Sequence, residues 1–144
     1  DARITNIYEG TSQLQVVAAI RHVTTGTYLA KMKEYEKLDY APELENTYKK
    51  LVSMREQYEK AVEKVTATGD NEVIDFHARR MVEMAGHIIL SHLLLQQASI
   101  DEEYRNSAEI YAKYGEAQNA AAATYIGCCC VDDIGLYKAV QDEH

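Results

Sequence analysis

The feature that most restricts the fold is a long amphipathic segment that begins just after the single proline, Pro42. From Leu44 to Val65, apolar and tyrosine side chains recur at steps of three and four residues, and lysines and glutamates fill the positions between them. This period is that of an α-helix with one apolar and one charged face. Such a helix gains most of its stability from packing, so the chain is expected to form a bundle of helices.

Two further long helices are predicted downstream. The segment from Glu72 to about Ala98 carries charges in its first half only. From Met84 it is apolar nearly all round, which predicts that this half lies in the middle of the bundle. In the last helix the alanine run at 120–123 favours close approach of a neighbouring helix. The residues of that helix expected to share one register are Tyr104, Ala108, Tyr111, Gly115, Gln118, Ala122 and Tyr125.

Shorter helical pieces precede these helices. One runs from Thr11 or Ser12 to a glycine-containing joint at residues 24–27, and another runs from Tyr28 to Leu38. The residues expected to end or cap the long helices are, in order, Gly69, Asp70 or Asn71, and Ser99 with Asp101. Ile126-Gly127 is expected to end or bend the last helix. The sequence therefore predicts an all-α fold, an up-and-down helical bundle with three long helices plus shorter N-terminal helical pieces.

Charge and cysteine content narrow the classes of partner. The 144 residues carry a formal net charge of -8, whereas binding to a phosphate backbone needs a basic surface, so nucleic acid is not an expected partner. The longest uncharged run, Met84 to Ile100, is shorter than a membrane-spanning helix needs, and a membrane partner is not expected either. The consecutive cysteines Cys128 to Cys130 offer neither a disulfide framework nor a metal pair, which favours a reducing, cytoplasmic compartment.

The stretch most suggestive of chemistry is Tyr8-Glu9-Gly10-Thr11-Ser12-Gln13. It places a carboxylate on a loop, follows it with a glycine that removes side-chain bulk, and then opens a helix with two hydroxyl residues suited to the cap. Read with its flanks, residues 1–7 and 14–15, this stretch resembles the C-terminal part of the acyl-CoA dehydrogenase catalytic domain. The resemblance covers about the first 25 residues, and Val16 departs from the arginine that many relatives carry, so roles are carried over no further than Gln13.

The resemblance implies a role for each residue of the motif. Glu9 would be the catalytic base that removes a proton from the carbon next to the thioester carbonyl, while FAD accepts a hydride from the neighbouring carbon. Tyr8 and Gly10 would line the substrate site, and three residues would lie against FAD. These cofactor-binding residues are Thr11, Ser12 and Gln13.

The same resemblance implies a domain organisation and a set of partners. Residues 1–26 would form the last segment of the catalytic domain, and residues 27–144 would form a C-terminal helical bundle extension that serves assembly or placement. The chain would then be the C-terminal part of a longer protein, and it alone would bind no FAD. The implied partners are an acyl-CoA substrate, an electron-transferring flavoprotein and further copies of the chain in a homo-oligomer.

Other reactive residues are expected to be structural. Glu83 and His87 lie one helical turn apart, but no paired Glu-x-x-His motifs occur, so no metal site is predicted. His77, His87 and His92 are expected in the core or at an interface. Cys128 to Cys130 and Leu93 to Leu95 are expected to be buried, although an uncovered apolar face would indicate a partner or a membrane surface.

A second interpretation is an independent helical protein-interaction module without catalysis. In that case Glu9 would be a solvated loop residue, and substitutions at Tyr104, Tyr111 or Tyr125 would impair binding. The mixed charges between Lys49 and Lys64 are expected to be a solvated face in either interpretation.

Overall fold

The computed structural model describes residues 21–128, whose regular secondary structure is entirely helical. Residues 21–24 are the last turn of a helix, and four helices follow. Their bounds are α1, Thr27–Glu36; α2, Glu45–Thr66; α3, Asn71–Ile100; and α4, Arg105–Cys128. Short 3-10 turns at Pro42–Leu44 and Glu102–Tyr104 lead into α2 and α4.

The three long helices α2, α3 and α4 pack against one another in alternating directions, and α1 lies against α2 and α3. Contacts far apart in sequence show the antiparallel order, since His87 of α3 meets Asn119 of α4 while Phe76 meets Tyr125. The ends of α2 and α4 coincide, because Lys64 Nζ donates a hydrogen bond to the Gly127 carbonyl. The predicted up-and-down bundle, with its shorter N-terminal helical piece, is confirmed.

Most of the predicted boundaries have a visible cause. Gly69 has a φ of 63°, the left-handed conformation in which glycine ends helices. Asp70 caps α3 by accepting a hydrogen bond from the Glu72 amide at 2.8 Å, and Asp101 accepts one from the Glu103 amide at 3.0 Å. Ser99, the other predicted cap, has a different role.

The Ser99 hydroxyl ties two elements together instead of capping α4. It donates to the Leu95 carbonyl one turn back at 2.9 Å and accepts a hydrogen bond from the Ala41 amide at 3.0 Å. The segment that enters α2 is thereby fixed to the end of α3. The cap prediction for Ser99 was wrong because its side chain is directed back over α3, which continues to Ile100.

The core is built from one side of each helix, with methionine, leucine and alanine as its main components. Tyr58 is almost completely buried and is the largest of these side chains. Burying a leucine, isoleucine or methionine side chain of this kind contributes about 1.5–3 kcal/mol each. The largest apolar core residues are Met32, Leu44, Leu51, Tyr58, Met81, Met84, Ile88, Leu95 and Ile126.

The buried face of α4 differs from the predicted register. Small residues, not tyrosines, face the other helices, and they are Ala108, Ala112 and Gly115 together with Asn119 and Ile126. Tyr104, Gln118 and Tyr125 are exposed, while Tyr111 and Ala122 are half-buried. The reason is the short distance between α3 and α4, which leaves room for small side chains and displaces the tyrosines to the edges.

Gly115 is the point of close approach between α3 and α4. A Cβ atom built at this position would lie 3.2 Å from His87 Cβ and 3.3 Å from Met54 Cε. The prediction of close packing on α4 is correct in kind but misplaced along the helix, because two of the four alanines at 120–123 are exposed.

The sequence predicted that Ile126-Gly127 ends or bends the last helix, and α4 includes both residues and is described as far as Cys128. Ile126 is buried in the core and Lys64 binds the Gly127 carbonyl, so tertiary contacts hold the helix together across the glycine. Cys128 is exposed, contrary to the prediction of a buried thiol, because it lies on the final turn beyond the covered part of α4. Cys129 and Cys130 lie outside the described residues.

Candidate functional site

The motif residues predicted to carry catalysis, Tyr8 to Gln13, lie outside the described residues, as does Val16. The same holds for most of the proposed catalytic-domain segment, residues 1–26. The roles assigned to Glu9 and its neighbours therefore stay predictions. A functional site within residues 21–128 has to be found on the bundle itself.

A groove between α3 and α4 is lined by both polar and apolar side chains. Its volume is about 250 Å³, and it is lined by Arg80, Glu83, Met84, His87, Gln118, Asn119, Ala121, Ala122 and Tyr125. The residues come from α3 and α4. Because the two helices meet through tertiary packing, sequence spacing did not bring Arg80, His87 and Asn119 together.

Asn119 organises the middle of the groove. Its Nδ2 donates a hydrogen bond to the Met84 carbonyl at 3.2 Å, and its Oδ1 lies 2.8 Å from His87 Nδ1. Because the amide nitrogen is already used as a donor, Oδ1 must accept, and Nδ1 of His87 must carry the proton. Asn119 is completely buried, so this pair fixes the ring of His87 and joins the two helices.

Arg80 lies at the other end of the groove and packs over aromatic rings. Its guanidinium carbon is 4.2 Å from the centre of the Tyr125 ring and 5.5 Å from that of Phe76. Arg80 forms no ion pair with any residue between 21 and 128, and its Nη1 donates to the Phe76 carbonyl at 3.3 Å. Cation–π contacts of this kind contribute about 0.5–2 kcal/mol, so Arg80 helps to close the seam between α3 and α4.

The groove has the contacts of a structural seam. Within residues 21–128, no group of three or more His, Cys, Asp or Glu side chains is placed to hold a metal ion. His87, which lies one helical turn from Glu83, is held by Asn119 and makes edge contacts with the rings of Tyr111 and Tyr114. The groove therefore positions α4 on α3 and offers no assembled catalytic constellation.

Two other histidines are core residues, as the sequence indicated. His92 is completely buried and stacks on Tyr35 of α1, with ring centres 5.7 Å apart. Burial lowers the pKa of His92 to about 4, so the ring is neutral in the folded protein near pH 7. Burial, and to a smaller extent the charge of Arg80, also lowers the pKa of His77.

An apolar surface on the outside of the same two helices is the feature that sequence reasoning placed incorrectly. Leu90 and Leu93 of α3 are 44% and 47% exposed, and Ile110 and Tyr114 of α4 are 67% and 53% exposed. Together with Ile100, which is 85% exposed at the end of α3, these residues form what we term the outer apolar face.

The prediction that the second half of α3 lies in the middle of the bundle was therefore wrong for its outward side. Leu95 is buried, Leu94 is half-buried and Leu93 is exposed, because α1, α2 and α4 cover α3 from three sides and leave the fourth open. The sequence signal was present, since the outward positions 86, 90, 93, 97 and 100 repeat at steps of three and four. An apolar face left uncovered is typical of an interaction surface.

None of the helices in the part of the chain that the structure describes has the length and apolar character needed to cross a membrane.

The comparisons with known proteins agree on one family. Residues 24–134 match the model of the family described as "Acyl-CoA dehydrogenase C terminal". A solved structure entitled "The crystal structure of the acyl-CoA dehydrogenase family protein from Porphyromonas gingivalis" is 40% identical in sequence, with a TM-score of 0.75. The match covers 78% of the present chain and 98% of that chain, which is therefore little more than the matched bundle. No curated protein matches.

Proposed function

Because the chain belongs to the acyl-CoA dehydrogenase C-terminal family, we propose that it is the C-terminal part of an FAD-dependent acyl-CoA dehydrogenase in which Glu9 is the catalytic base. The observation that carries the proposal is the order of two separate signals along one chain. The Tyr8-to-Gln13 motif comes first, and the family match follows from residue 24. A chance Glu-Gly-Thr tripeptide would have no reason to precede this family's bundle.

The proposed reaction is the α,β-dehydrogenation of an acyl-CoA thioester. Glu9 takes the proton from the carbon beside the thioester carbonyl as a hydride leaves the next carbon, so that a C=C bond forms between them. FAD, which Thr11, Ser12 and Gln13 would contact in the full-length protein, would supply the hydride acceptor, and an electron-transferring flavoprotein would be the partner that takes up the electrons. A carboxylate acts on so weak an acid when it is close to the carbon and shielded from water.

The residues around Glu9 would place the two reactants. Tyr8 and Gly10 border the thioester end of the substrate, where the absent side chain of glycine leaves room for the acyl group. Thr11, Ser12 and Gln13 lie against FAD. The bundle of α1 to α4 takes no part in the chemistry and serves assembly or placement, since the described grooves are shallow and open.

The test of the catalytic proposal is a Glu9→Gln variant of the full-length protein. It should retain bound flavin and helical content but lose acyl-CoA-dependent flavin reduction by a factor of about 100 or more, because the amide cannot accept the proton. Glu109→Gln, which changes an exposed glutamate on α4, is the matched control and should retain full activity. Wild-type turnover by Glu9→Gln would refute the role of Glu9.

A second experiment concerns the 144-residue chain by itself. We expect it to purify without flavin absorbance, because nothing in its sequence resembles the flavin-binding domains of the family. Flavin that copurifies in stoichiometric amount would contradict this expectation. The predicted cytoplasmic location and homo-oligomeric assembly belong to the same proposal and can be examined with the full-length protein.

The alternative function, an interaction module without catalysis, is favoured by one observation, the outer apolar face. It demands that Glu9→Gln be silent and that substitutions on the bundle surface, such as those at Tyr104, Tyr111 or Tyr125, remove the activity of the protein. Comparing Glu9→Gln with a substitution at Tyr104, Tyr111 or Tyr125 therefore separates the two functions.

A further inference from the structure

We propose that the outer apolar face is a self-association surface, on which α3 pairs antiparallel with α3 of a second copy of this chain. The two-fold axis passes between Leu90 and Leu93. This inference is independent of the role of Glu9, because it concerns the bundle alone. It assigns a partner to a surface that residues 21–128 leave open.

The distribution of charge selects a second copy as the partner. The chain carries a net charge of -8, so most pairs of its surfaces would bring carboxylates together. The run from Met84 to Ile100 has no charged residue, and it extends over about 24 Å at 1.5 Å per residue. Two copies can meet there without desolvating a charge or opposing two like charges.

The centre of that run coincides with the centre of the exposed leucines. Its middle residue is position 92, and the point midway between Leu90 and Leu93 lies within one residue of it. An antiparallel pair about this point therefore sets residues 84–99 against the same residues of the second copy, and Ile100 faces Glu83 at the edge of the contact. A two-fold interface requires such self-complementarity, because one patch must serve both sides.

The register that follows places compatible residues opposite each other. Leu90 faces Leu93 of the second copy, and Gly86 faces Gln97 of the second copy. Gly86 is exposed, and a Cβ atom at this position would have no neighbour within 4 Å in its own chain. The missing side chain leaves space for a glutamine from the facing helix.

The flanks of this helix pair extend the contact. Ile110 and Tyr114 of α4 border α3 on one side, as the contact of His87 with the Tyr114 ring at 5.7 Å shows. Both are more than half exposed, and association would remove their apolar surface from water together with that of the leucines. Tyrosine at such a position is typical of interface residues with an apolar body and a polar tip.

The first test is sedimentation equilibrium of the 144-residue chain. The solved structure of similar sequence is itself little more than this bundle, which supports the use of the chain without upstream residues. We expect a reversible dimer, and we expect Leu93→Glu to raise its dissociation constant by about 100-fold or more, since the change occurs twice per interface. Far-UV circular dichroism should show unchanged helical content.

Leu38→Glu is the matched control. Leu38 is 45% exposed, almost as much as Leu93, but it follows α1 and belongs to neither α3 nor α4. It should leave the dissociation constant within about threefold of the wild-type value. If Leu38→Glu and Leu93→Glu weaken the dimer equally, the effect is one of net charge and the assignment of the surface is wrong.

A double variant tests the register. In the antiparallel pair, Leu90→Lys combined with Leu93→Glu sets opposite charges face to face at both contacts, so it should recover at least about tenfold of the affinity lost in Leu93→Glu. Parallel pairing would set like charges together and weaken the dimer further. A failure to recover would overturn the proposed register.

The remaining outcome is that the 144-residue chain does not dimerise and that the upstream domain covers the outer apolar face in the full-length protein. If the 144-residue wild-type chain is monomeric up to about 500 µM, the second copy is excluded as the partner. If Leu93→Glu then makes the bundle of the full-length protein more sensitive to proteolysis, the face is covered by the upstream domain. That result would overturn the present proposal and leave the catalytic role of Glu9 untouched.

Discussion

The helices α2 and α3 distribute polarity in opposite ways. The buried side of α2 is mainly apolar, with Leu51 and Val65, and its exposed side carries the predicted mixture of charges, such as Lys49 and Glu56. In α3, Ser91 and His92 are completely buried while Leu90 and Leu93, their immediate neighbours, are exposed. For a helix that faces solvent, the second arrangement is the less favourable one.

This difference indicates that the outer sides of the two helices have different surroundings. The pattern of α2 is explained by this chain in water, because each face matches its surroundings. In α3, the inner side tolerates polar groups, and Ser91 Oγ and both ring nitrogens of His92 have no hydrogen-bond partner among residues 21–128. Its outer side has leucines where α2 has charges, which is the composition expected of the proposed interaction surface.

The largest expected effect comes from two leucines two residues apart on α3. Leu95→Ala should destabilise the bundle by about 2–5 kcal/mol, since Leu95 is buried, whereas Leu93→Ala should cost less than about 1 kcal/mol at micromolar concentration. Urea unfolding measures both values. Raising the protein concentration should increase the stability of wild type and leave that of Leu93→Ala nearly unchanged.

Equal losses of stability in these two variants would remove the distinction between the inner and outer sides of α3. A wild-type stability that is independent of concentration would argue against the proposed self-association, but it would not affect the assignment of Leu95 to the core.

Acid should destabilise the bundle through the buried polar side of α3. The pKa of His92 is lowered from 6.5 to about 4, so the unfolded chain takes up a proton that the folded chain excludes. Stability is then constant above pH 7 and falls by about 2 kcal/mol between pH 7 and pH 5. Unfolding experiments at several pH values should show this fall in wild type and a smaller one in His92→Leu.

His22→Leu is the control for this experiment, because His22 is exposed. It should keep the pH dependence of wild type. If His92→Leu shows the same dependence as wild type, the acid sensitivity arises elsewhere, with His77 as the next residue to change.

The smallest expected loss of stability comes from the charged residues at the contact of α1 with α2. Arg55 Nε is 3.1 Å from a Glu36 carboxylate oxygen, and its Nη1 is 2.9 Å from that of Glu59. Arg55→Met should cost about 1–2 kcal/mol, because the pair with Glu36 is largely buried and leaves a carboxylate without its partner. Thermal unfolding should show the loss.

Lys49→Met is the comparison for Arg55→Met. The pair of Lys49 with Glu45 is exposed on both sides, and its loss should change stability by less than about 0.5 kcal/mol. Similar effects for the two substitutions would show that burial does not distinguish these ion pairs.

Much of the fold could be predicted from residue order. Pro42, Gly69 and Asp70 mark the ends of helices through local backbone chemistry, which needs no tertiary information. The apolar period of α2 could be read for the same reason. The cap prediction for Ser99 failed because a distant group, the Ala41 amide, uses its hydroxyl.

The candidate surfaces were harder to predict. The sequence identified the uncharged stretch of α3 but not which of its sides is open, since that depends on where α1, α2 and α4 pack. On α4, the sequence placed three tyrosines in one register with Ala108 and Gly115, whereas the close approach at Gly115 selects small residues for the inner face. The groove of Arg80, His87 and Asn119 follows from that approach and has no signature in sequence spacing.

The sequence by itself determined the helical class, the lengths of the long helices and the likeness of residues 1–15 to a dehydrogenase motif. These properties depend on neighbours within a few positions along the chain. Only the tertiary structure decided that Leu90 and Leu93 are exposed while Ser91 and His92 are buried. The physical reason is that a helix fixes the angle between adjacent side chains, but the packing of the other helices determines which direction faces water.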